Sequence, residues 1–255
     1  EKLVATDLDG TTVHGYNEIE ESSIAAIKRM QENGILVAVS TGRILGGVKF
    51  LKEDYGLNLD YYVLGNGSVV MDKDYNLIYK KTISYDMVRE MYNHLLKCPI
   101  EGIMHASTND GLYFLSENAK LDKEYFFKSN IDEISNKEIV SFVVSFEGHE
   151  EEVIENIAKE MKEKFTEVEV FQNKCYIDVA PKNSSKASGI EKILDKEKQV
   201  EVLYTIGDSY NDIPMLEMTE NSFTFVSSPE AIKKSAKNVV ENFAESVNKF
   251  VFGDK

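Results

Sequence analysis

The sequence predicts an α/β fold: a doubly wound, Rossmann-like parallel sheet with a second, smaller α/β unit inserted into it. Three observations carry that prediction. Apolar strand-like runs alternate with helical periodicity through the first part of the chain, in the βαβαβ order that builds parallel sheets. From about Leu77 the character changes to hairpin-like strands and amphipathic helices. Near Pro181 the strand and helix alternation resumes. The expected division is a core formed by 1–80 and 182–255, with an inserted α/β cap at 81–181.

Each element has a local reason. Leu3-Val4-Ala5-Thr6 is a short apolar run, read as a buried strand. Ile24, Ile27 and Met30 recur at helical spacing and stop at Asn33-Gly34, a good C-terminal signal. A strand is expected over 35–40, a helix over 46–55 and a strand over 61–64. In the inserted unit, Ser84 is placed to cap a helix over 85–97. Val153, Ile157, Met161 and Phe165 mark another over 150–164. Strand-like runs lie at 103–106, 112–115, 139–146, 168–171 and 176–179. The returning core opens a helix after Lys186, a strand over 202–206 and a helix from Asp212-Ile213-Pro214, then strands at 222–226 and 238–240. No solenoid-period repeat or low-complexity tract is present.

Composition narrows the function. A chain of 255 residues can bury a sizeable core as one or two domains. A net charge of −15 argues against nucleic acid or an anionic membrane as the main partner, though a local positive pocket can exist on an acidic protein. Cys98 and Cys175 are too few for a disulfide framework and are expected to be small buried hydrophobes. No apolar run approaches the roughly 18 residues of a membrane span, and no secretory signal precedes the first strand. The cytoplasm is the expected compartment. Nothing in the sequence indicates an oligomeric state.

The first strand empties into Asp7-Leu8-Asp9-Gly10-Thr11. Residues two apart on an extended backbone share a side, so Asp7 and Asp9 crowd two like charges unless a cation is near. An Asp-Gly turn accounts for Asp9-Gly10 but not for Asp7. Val202-Leu203-Tyr204-Thr205-Ile206-Gly207-Asp208-Ser209-Tyr210-Asn211-Asp212 repeats the design, with Asp208 at the strand end and Asp212 entering a helix. An acid in the first helical turn complements the helix dipole, which explains Asp212 but not Asp208. Carboxylates at two strand ends suggest one composite site on a sheet edge, with hard oxygen ligands suited to Mg²⁺. The strand over 35–40 ends in Thr41-Gly42-Arg43, where a hydroxyl and free N–H groups can cradle phosphate. Lys186 would add the fixed positive charge that such a site needs.

These four segments, in this order, resemble the four motifs of the haloacid dehalogenase-like phosphatases. The long insertion resembles that of the Cof-type branch (subfamily IIB), with its C2 α/β cap, and Leu64-Gly65-Asn66-Gly67-Ser68 resembles an Asn-Gly element of that branch. The resemblance spans nearly the whole chain. It implies a Mg²⁺-dependent phosphatase acting on small phosphorylated metabolites, such as sugar or cofactor phosphates. Asp7 would be the nucleophile that forms an aspartyl-phosphate, and Asp9 the general acid and then base. Mg²⁺ would be held by Asp7, the Asp9 carbonyl and Asp208, with Asp212 at the metal or just behind it. Thr41, the Gly42 N–H and Lys186 would bind phosphoryl oxygens, and Asn211 would help position the phosphoryl group or the loop. A carboxyl group at Asp9 can donate and then accept a proton, as hydrolysis or mutase chemistry requires. A phosphomutase or a non-enzymatic phospho-ligand sensor are the alternative readings.

Departures from the family pattern are mild. Thr12 stands where an apolar residue is usual, and Asn183-Ser184-Ser185 replaces a glycine-containing approach to the lysine. Lys182 therefore competes with Lys186, which fits better in its spacing from Pro181 and the following helix. His14, His94, His105 and His149 show no metal-ligand spacing and read as structural or surface residues, His14 being the least settled because it follows the first motif. Tyr125-Phe126-Phe127 reads as core packing rather than a sugar platform. The charge runs at 147–155 and 195–198 read as solvated helix faces.

Overall fold

The computed structural model describes residues 1–255. Strands β1 (Lys2–Thr6), β2 (Leu36–Ser40) and β3 (Tyr61–Leu64) run parallel, with β1 central. Their side chains alternate between two apolar layers, because successive strand residues face opposite sides. Val4, Val37, Val39 and Tyr62 pack with Ala26, Ile27 and Met30 of helix α1 (Glu21–Glu32). Leu3, Ala5, Ala38 and Val63 face the other way, and their cover comes from the far end of the chain. Both faces being covered explains why these strands are mainly apolar.

Two differences from the sequence reading lie on this half. The stretch over 46–55 is not one helix: a 3₁₀ turn at Leu45–Gly47 precedes the short α2 (Phe50–Glu53). Adjacent Gly46 and Gly47 weaken the helix there. Beyond β3, an antiparallel hairpin of β4 (Val69–Asp72) and β5 (Leu77–Lys80) extends the same sheet. The change of character at Leu77 is thus the last core strand, not the start of the insertion.

Residues of the insertion form their own sheet of six strands, in the order β10-β11-β9-β6-β7-β8. These are β6 (Ile103–Ser107), β7 (Leu112–Phe114), β8 (Phe126–Lys128), β9 (Ser141–Ser145), β10 (Val168–Asn173) and β11 (Tyr176–Pro181). One face is covered by α3 (Tyr85–Leu95) and α4 (Glu151–Lys164), through Val88, Met91, Ile154, Ile157 and Met161. Ser84 caps α3 as expected, accepting from the Met87 N–H at 3.3 Å. Cys98 and Cys175 are half-buried at the edge of this layer rather than enclosed by it. The other face of the sheet looks onto the core.

The returning chain forms α5 (Lys186–Lys196), β12 (Val202–Ile206), α6 (Ile213–Leu216), β13 (Ser222–Phe225), α7 (Glu230–Ser235), β14 (Asn238–Val240) and α8 (Phe243–Glu245). Ile190 and Ile193 of α5 and Met215 of α6 supply the missing cover for Leu3, Ala5 and Val63. The completed core sheet has eight strands, in the order β14-β13-β12-β1-β2-β3-β4-β5. No helix is long and apolar enough to cross a membrane.

The two sheets meet along a packed seam. Val140, Leu112 and Tyr125 of the insertion join the larger apolar cluster of the core. Tyr125 lies so close over Gly46 that a Cβ there would sit 2.5 Å from its ring. The run 125–127 therefore serves the seam and the cavity behind it: Phe126 lines that cavity, and Phe127 is substantially exposed rather than buried in a core.

Candidate active site

The strand order reverses between β1 and β12: the chain winds outward through β2 and β3 on one side and through β13 and β14 on the other. Such a switch point leaves a crevice at the carboxyl ends of the strands, where open α/β sheets bind ligands. β1 delivers Asp7 there and β12 delivers Asp208. The Asp7 N–H donates to the Ile206 carbonyl at 2.8 Å, so strand pairing persists up to the carboxylate and fixes its backbone.

Lys186, the first residue of α5, reaches into the same crevice. Its Nζ donates to Asp7 Oδ1 and to Asp212 Oδ1, each at 2.6 Å. A capping box, with Ser185 and Ser188 bonding each other's backbone N–H, sets the start of α5 and hence the lysine's direction. Lys182 instead points outward, 4.0 Å from Glu169, so Lys186 is the lysine brought to the carboxylates. Asp212 Oδ2 accepts from the Asp208 and Ser209 N–H groups, both at 2.9 Å, which ties the whole turn to one carboxylate. Thr11 Oγ1 donates to Asp208 Oδ1 at 3.0 Å. Gly10, at φ +82°, lies against that carboxylate with no room for a Cβ. Thr12 is buried without penalty, because its hydroxyl donates to the Asp7 carbonyl at 3.2 Å.

The charges here do not balance within the protein. Asp7, Asp208 and Asp212 present carboxylate oxygens within 4.8 Å of one another, against one lysine. Burial pushes Asp7 up to about 7; Lys186 opposes the rise and Asp208 adds to it. Burial also pushes Asp212 up to about 7, with Asp7 adding to it and Lys186 opposing. Asp208 is raised by burial and by the charge of Asp212. Burial works to lower Lys186, but Asp212 and Asp7 outweigh it and hold the ammonium charged. A buried cluster this short of positive charge fits a cation, and an all-oxygen donor set fits a hard divalent one.

Asp9 is not part of this cluster. Its carboxylate is gripped by the Arg43 guanidinium, Nε to Oδ2 at 2.8 Å and Nη2 to Oδ1 at 2.5 Å. Arg43 is in turn fixed by Asn17 Oδ1 at 2.7 Å and the Gly47 carbonyl at 2.8 Å. Half of the Asp9 side chain remains accessible, on the lip of the crevice.

The residues expected to hold phosphate converge on the same place. Thr41 is buried beneath the crevice, its hydroxyl accepting from the Arg43 N–H at 3.1 Å. Gly42 lies where a Cβ would come 2.9 Å from Asp178 Oδ2 and 3.2 Å from Asn66 Nδ2. Asn211 Nδ2 donates to Asn66 Oδ1 at 3.2 Å, while Asn211 Oδ1 is buried with no partner. Asn66, in the left-handed region at φ 54°, donates from Nδ2 to Asp178 Oδ2 at 3.1 Å. This chain links the returning core, the core loop after β3 and the inserted sheet.

A cavity of about 660 Å³ opens above the carboxylates, between the two sheets. Asp7, Asp9, His14, Thr41, Gly42, Arg43 and Asn211 line its core side, and His105, Ser107, Tyr125, Phe126, Tyr176 and Asp178 its other side. No local sequence pattern marks Asp178 or the Arg43 fork on Asp9, and His105, expected to be structural or surface, lines the cavity instead. The signal for His105 was present: in 103–107 the polar His105 and Ser107 alternate with Met104 and Ala106, which marks a two-faced strand. His14 also borders the cavity, whereas His94 lies against Glu160 and Lys164, and His149 packs near Phe146.

The profile of the haloacid dehalogenase-like hydrolases matches residues 4–250. The chain belongs to this family. Among relatives of this hydrolase, a Streptococcus pyogenes serotype M6 protein that bears the name of a candidate phosphatase is 29% identical, covering 96% of this chain and 94% of its own. A Bacillus subtilis 5-amino-6-(5-phospho-D-ribitylamino)uracil phosphatase, YcsE, is 23% identical over 98% of this chain and 94% of its own. In fold, the hydrolase is similar to the subclass IIB sugar phosphatase BT4131, with a TM-score of 0.81, 22% identity and 99% of each chain covered. The architecture is thus the Cof-type one, and the enzyme is a phosphatase.

Proposed function

We propose that this phosphatase is Mg²⁺-dependent, and that it hydrolyses small sugar or cofactor-precursor phosphates through an aspartyl-phosphate on Asp7. The observation that carries the proposal is the buried Asp7–Lys186–Asp212–Asp208 cluster beneath a cavity between the two sheets, with Asp9 on its lip. The names of its relatives, a ribitylamino-uracil phosphatase and a sugar phosphatase, support the substrate class. We assign 81–181 as the cap, with 1–80 and 182–255 as the catalytic core.

In the first step an Asp7 carboxylate oxygen bonds to phosphorus as the ester oxygen departs with a proton from Asp9. In the second, Asp9 takes a proton from water, whose oxygen attacks the same phosphorus; inorganic phosphate leaves and the Asp7 carboxylate is restored. Asp7, the Asp9 carbonyl and Asp208 would hold Mg²⁺, with Asp212 behind, and the bound ion would neutralise the repulsion between carboxylate and phosphate. Lys186, Thr41 and the Gly42 N–H bind the equatorial oxygens, and Asn211 positions the loop.

The test is phosphate release from a panel of sugar, nucleotide and cofactor monophosphates, with Mg²⁺ or with EDTA, alongside Asp7→Asn. Release that needs Mg²⁺ and vanishes in Asp7→Asn is expected. Release that survives in Asp7→Asn would overturn the covalent route. Turnover only with a bisphosphate activator, with little free phosphate, would replace it with a mutase.

A further inference from the structure

The Asn211–Asn66–Asp178 chain crosses from the core to the insertion through three buried side chains, and its chemistry allows it one direction. Asp178 stands on β11, which pairs with β9 on one side and β10 on the other, so its backbone is fixed. Burial raises its carboxyl, while the Asn66 bond and the Lys186 charge oppose the rise. An ionised carboxylate only accepts hydrogen bonds, so Asn66 must turn Nδ2 toward it. Asn66 Oδ1 then faces Asn211, which answers with Nδ2 at 3.2 Å. Reversing either amide would set oxygen against oxygen or N–H against N–H.

The middle of the chain is held from the core side. The Asn66 N–H donates to the Thr41 carbonyl and the Gly65 N–H to the Arg43 carbonyl, each at 3.0 Å. The left-handed backbone at φ 54° is one that asparagine adopts more readily than most residues. Asn211 carries the cost of the arrangement. Its Oδ1 is buried with no partner, and an unpaired buried acceptor is unfavourable. The Asn211 amide is therefore set by the chain behind it rather than by its own surroundings. Asn211 lines the cavity together with Asp7 and Thr41.

We infer that Asp178 and Asn66 are positioning residues for the phosphate site: the inserted sheet, acting through Asn66, fixes which end of the Asn211 amide the phosphoryl group meets. This rests on the proposed phosphate-binding role of Asn211 and adds the two residues that orient it. The relay acts behind the phosphoryl group and requires no contact between Asp178 and the substrate. It is therefore indifferent to the alcohol that leaves. A well-ordered phosphate site is made conditional on the insertion being seated on the core.

Titration calorimetry of inorganic phosphate in MgCl₂ tests the relay, with thermal melting of each variant as a check of folding. Asp178→Ala is expected to weaken phosphate about tenfold, the effect of losing one bond to a charged group. Asp178→Asn, whose amide oxygen can still accept from Asn66, is expected to recover most of that loss. Asn66→Gly suits the left-handed backbone, cuts the relay in its middle and is expected to match Asp178→Ala. In an Asn211→Ala background, Asp178→Ala is expected to cost no more than about twofold, because residues that act through one another are not additive. The kcat/KM values for p-nitrophenyl phosphate and for the best sugar phosphate of the panel are expected to fall by the same factor. An undiminished effect of Asp178→Ala in the Asn211→Ala background, or no weakening by Asp178→Ala, would overturn the inference. So would a loss confined to one ester, which would make Asp178 a reader of the leaving group. An Asn211→Ala protein with unchanged phosphate affinity would instead remove the phosphate-site reading, and the inference with it.

Discussion

Replacing Lys186 with Met tests the electrostatic logic of the crevice most directly. The side chain is almost wholly buried, and its ammonium touches Asp7 and Asp212 at 2.6 Å each. Methionine keeps much of the volume and removes the charge, so two buried carboxylates lose their shared partner. Breaking a buried ion pair in this way costs about 3–5 kcal/mol. That figure applies where both carboxylates are ionised. Asp7 and Asp212 already stand near 7 in the folded protein, above the ordinary value of 3.8, and loss of the lysine pushes them higher. The folded state then binds more protons than the unfolded one, and its stability falls as pH rises from about 4 through 7 and beyond. Urea unfolding with EDTA present, at pH 5.5 and at pH 8, measures both quantities. The expected loss on substitution is largest at pH 8 and clearly smaller at pH 5.5, because protonation relieves the unpaired pair. A loss below about 1 kcal/mol at pH 8, or one independent of pH, would refute the reasoning.

The same imbalance predicts that the unsubstituted protein in EDTA melts at a lower temperature at pH 8 than at pH 5.5, and that Mg²⁺ stabilises it more at pH 8. A thermal scan in which Mg²⁺ helps equally at both pH values would contradict the carboxylate cluster as its site. Gly42→Ala places a methyl 2.9 Å from Asp178 Oδ2 and 3.2 Å from Asn66 Nδ2, so it should displace that tie. Inorganic phosphate binding should weaken about tenfold, the worth of one charge-assisted hydrogen bond, by calorimetry. Gly46→Val drives a branched side chain into the Tyr125 ring and should part the two sheets at their seam. A larger radius of gyration in solution scattering and a lower kcat/KM are expected, with the far-ultraviolet dichroism unchanged.

Much of this fold was legible because its strands are buried on both faces. Runs such as Leu36–Ser40 and Val202–Ile206 are mainly apolar and lead into carboxylates or small residues, and their parallel order follows from the helices between them. The sequence was silent where tertiary packing decides. Val69–Asp72 is short and became a strand by pairing with β3 and β5, and Phe126–Lys128 by pairing with β7. The helix over 46–55 failed because Gly46 serves a contact with Tyr125, far along the chain. In the site, Asp7, Asp208, Asp212 and Lys186 could be read from motifs. The Arg43 grip on Asp9 and the Asn211–Asn66–Asp178 chain could not, since each joins segments that no local pattern relates.

Lys81 and Lys182 mark the places where the chain leaves the core sheet and returns, and they touch: the Lys81 ammonium donates to the Lys182 carbonyl at 2.5 Å. The whole excursion between them thus ends where it began. Replacing it with a turn of a few residues would move neither strand end, and closing the short loop would cost the core little entropy. The insertion is therefore joined to the core at one covalent junction, and Val140, Leu112 and Tyr125 hold it down along the seam. A lidless version is expected to retain the carboxylates, the lysine and the sheet that positions them, and the same junction could accept lids of different size and chemistry.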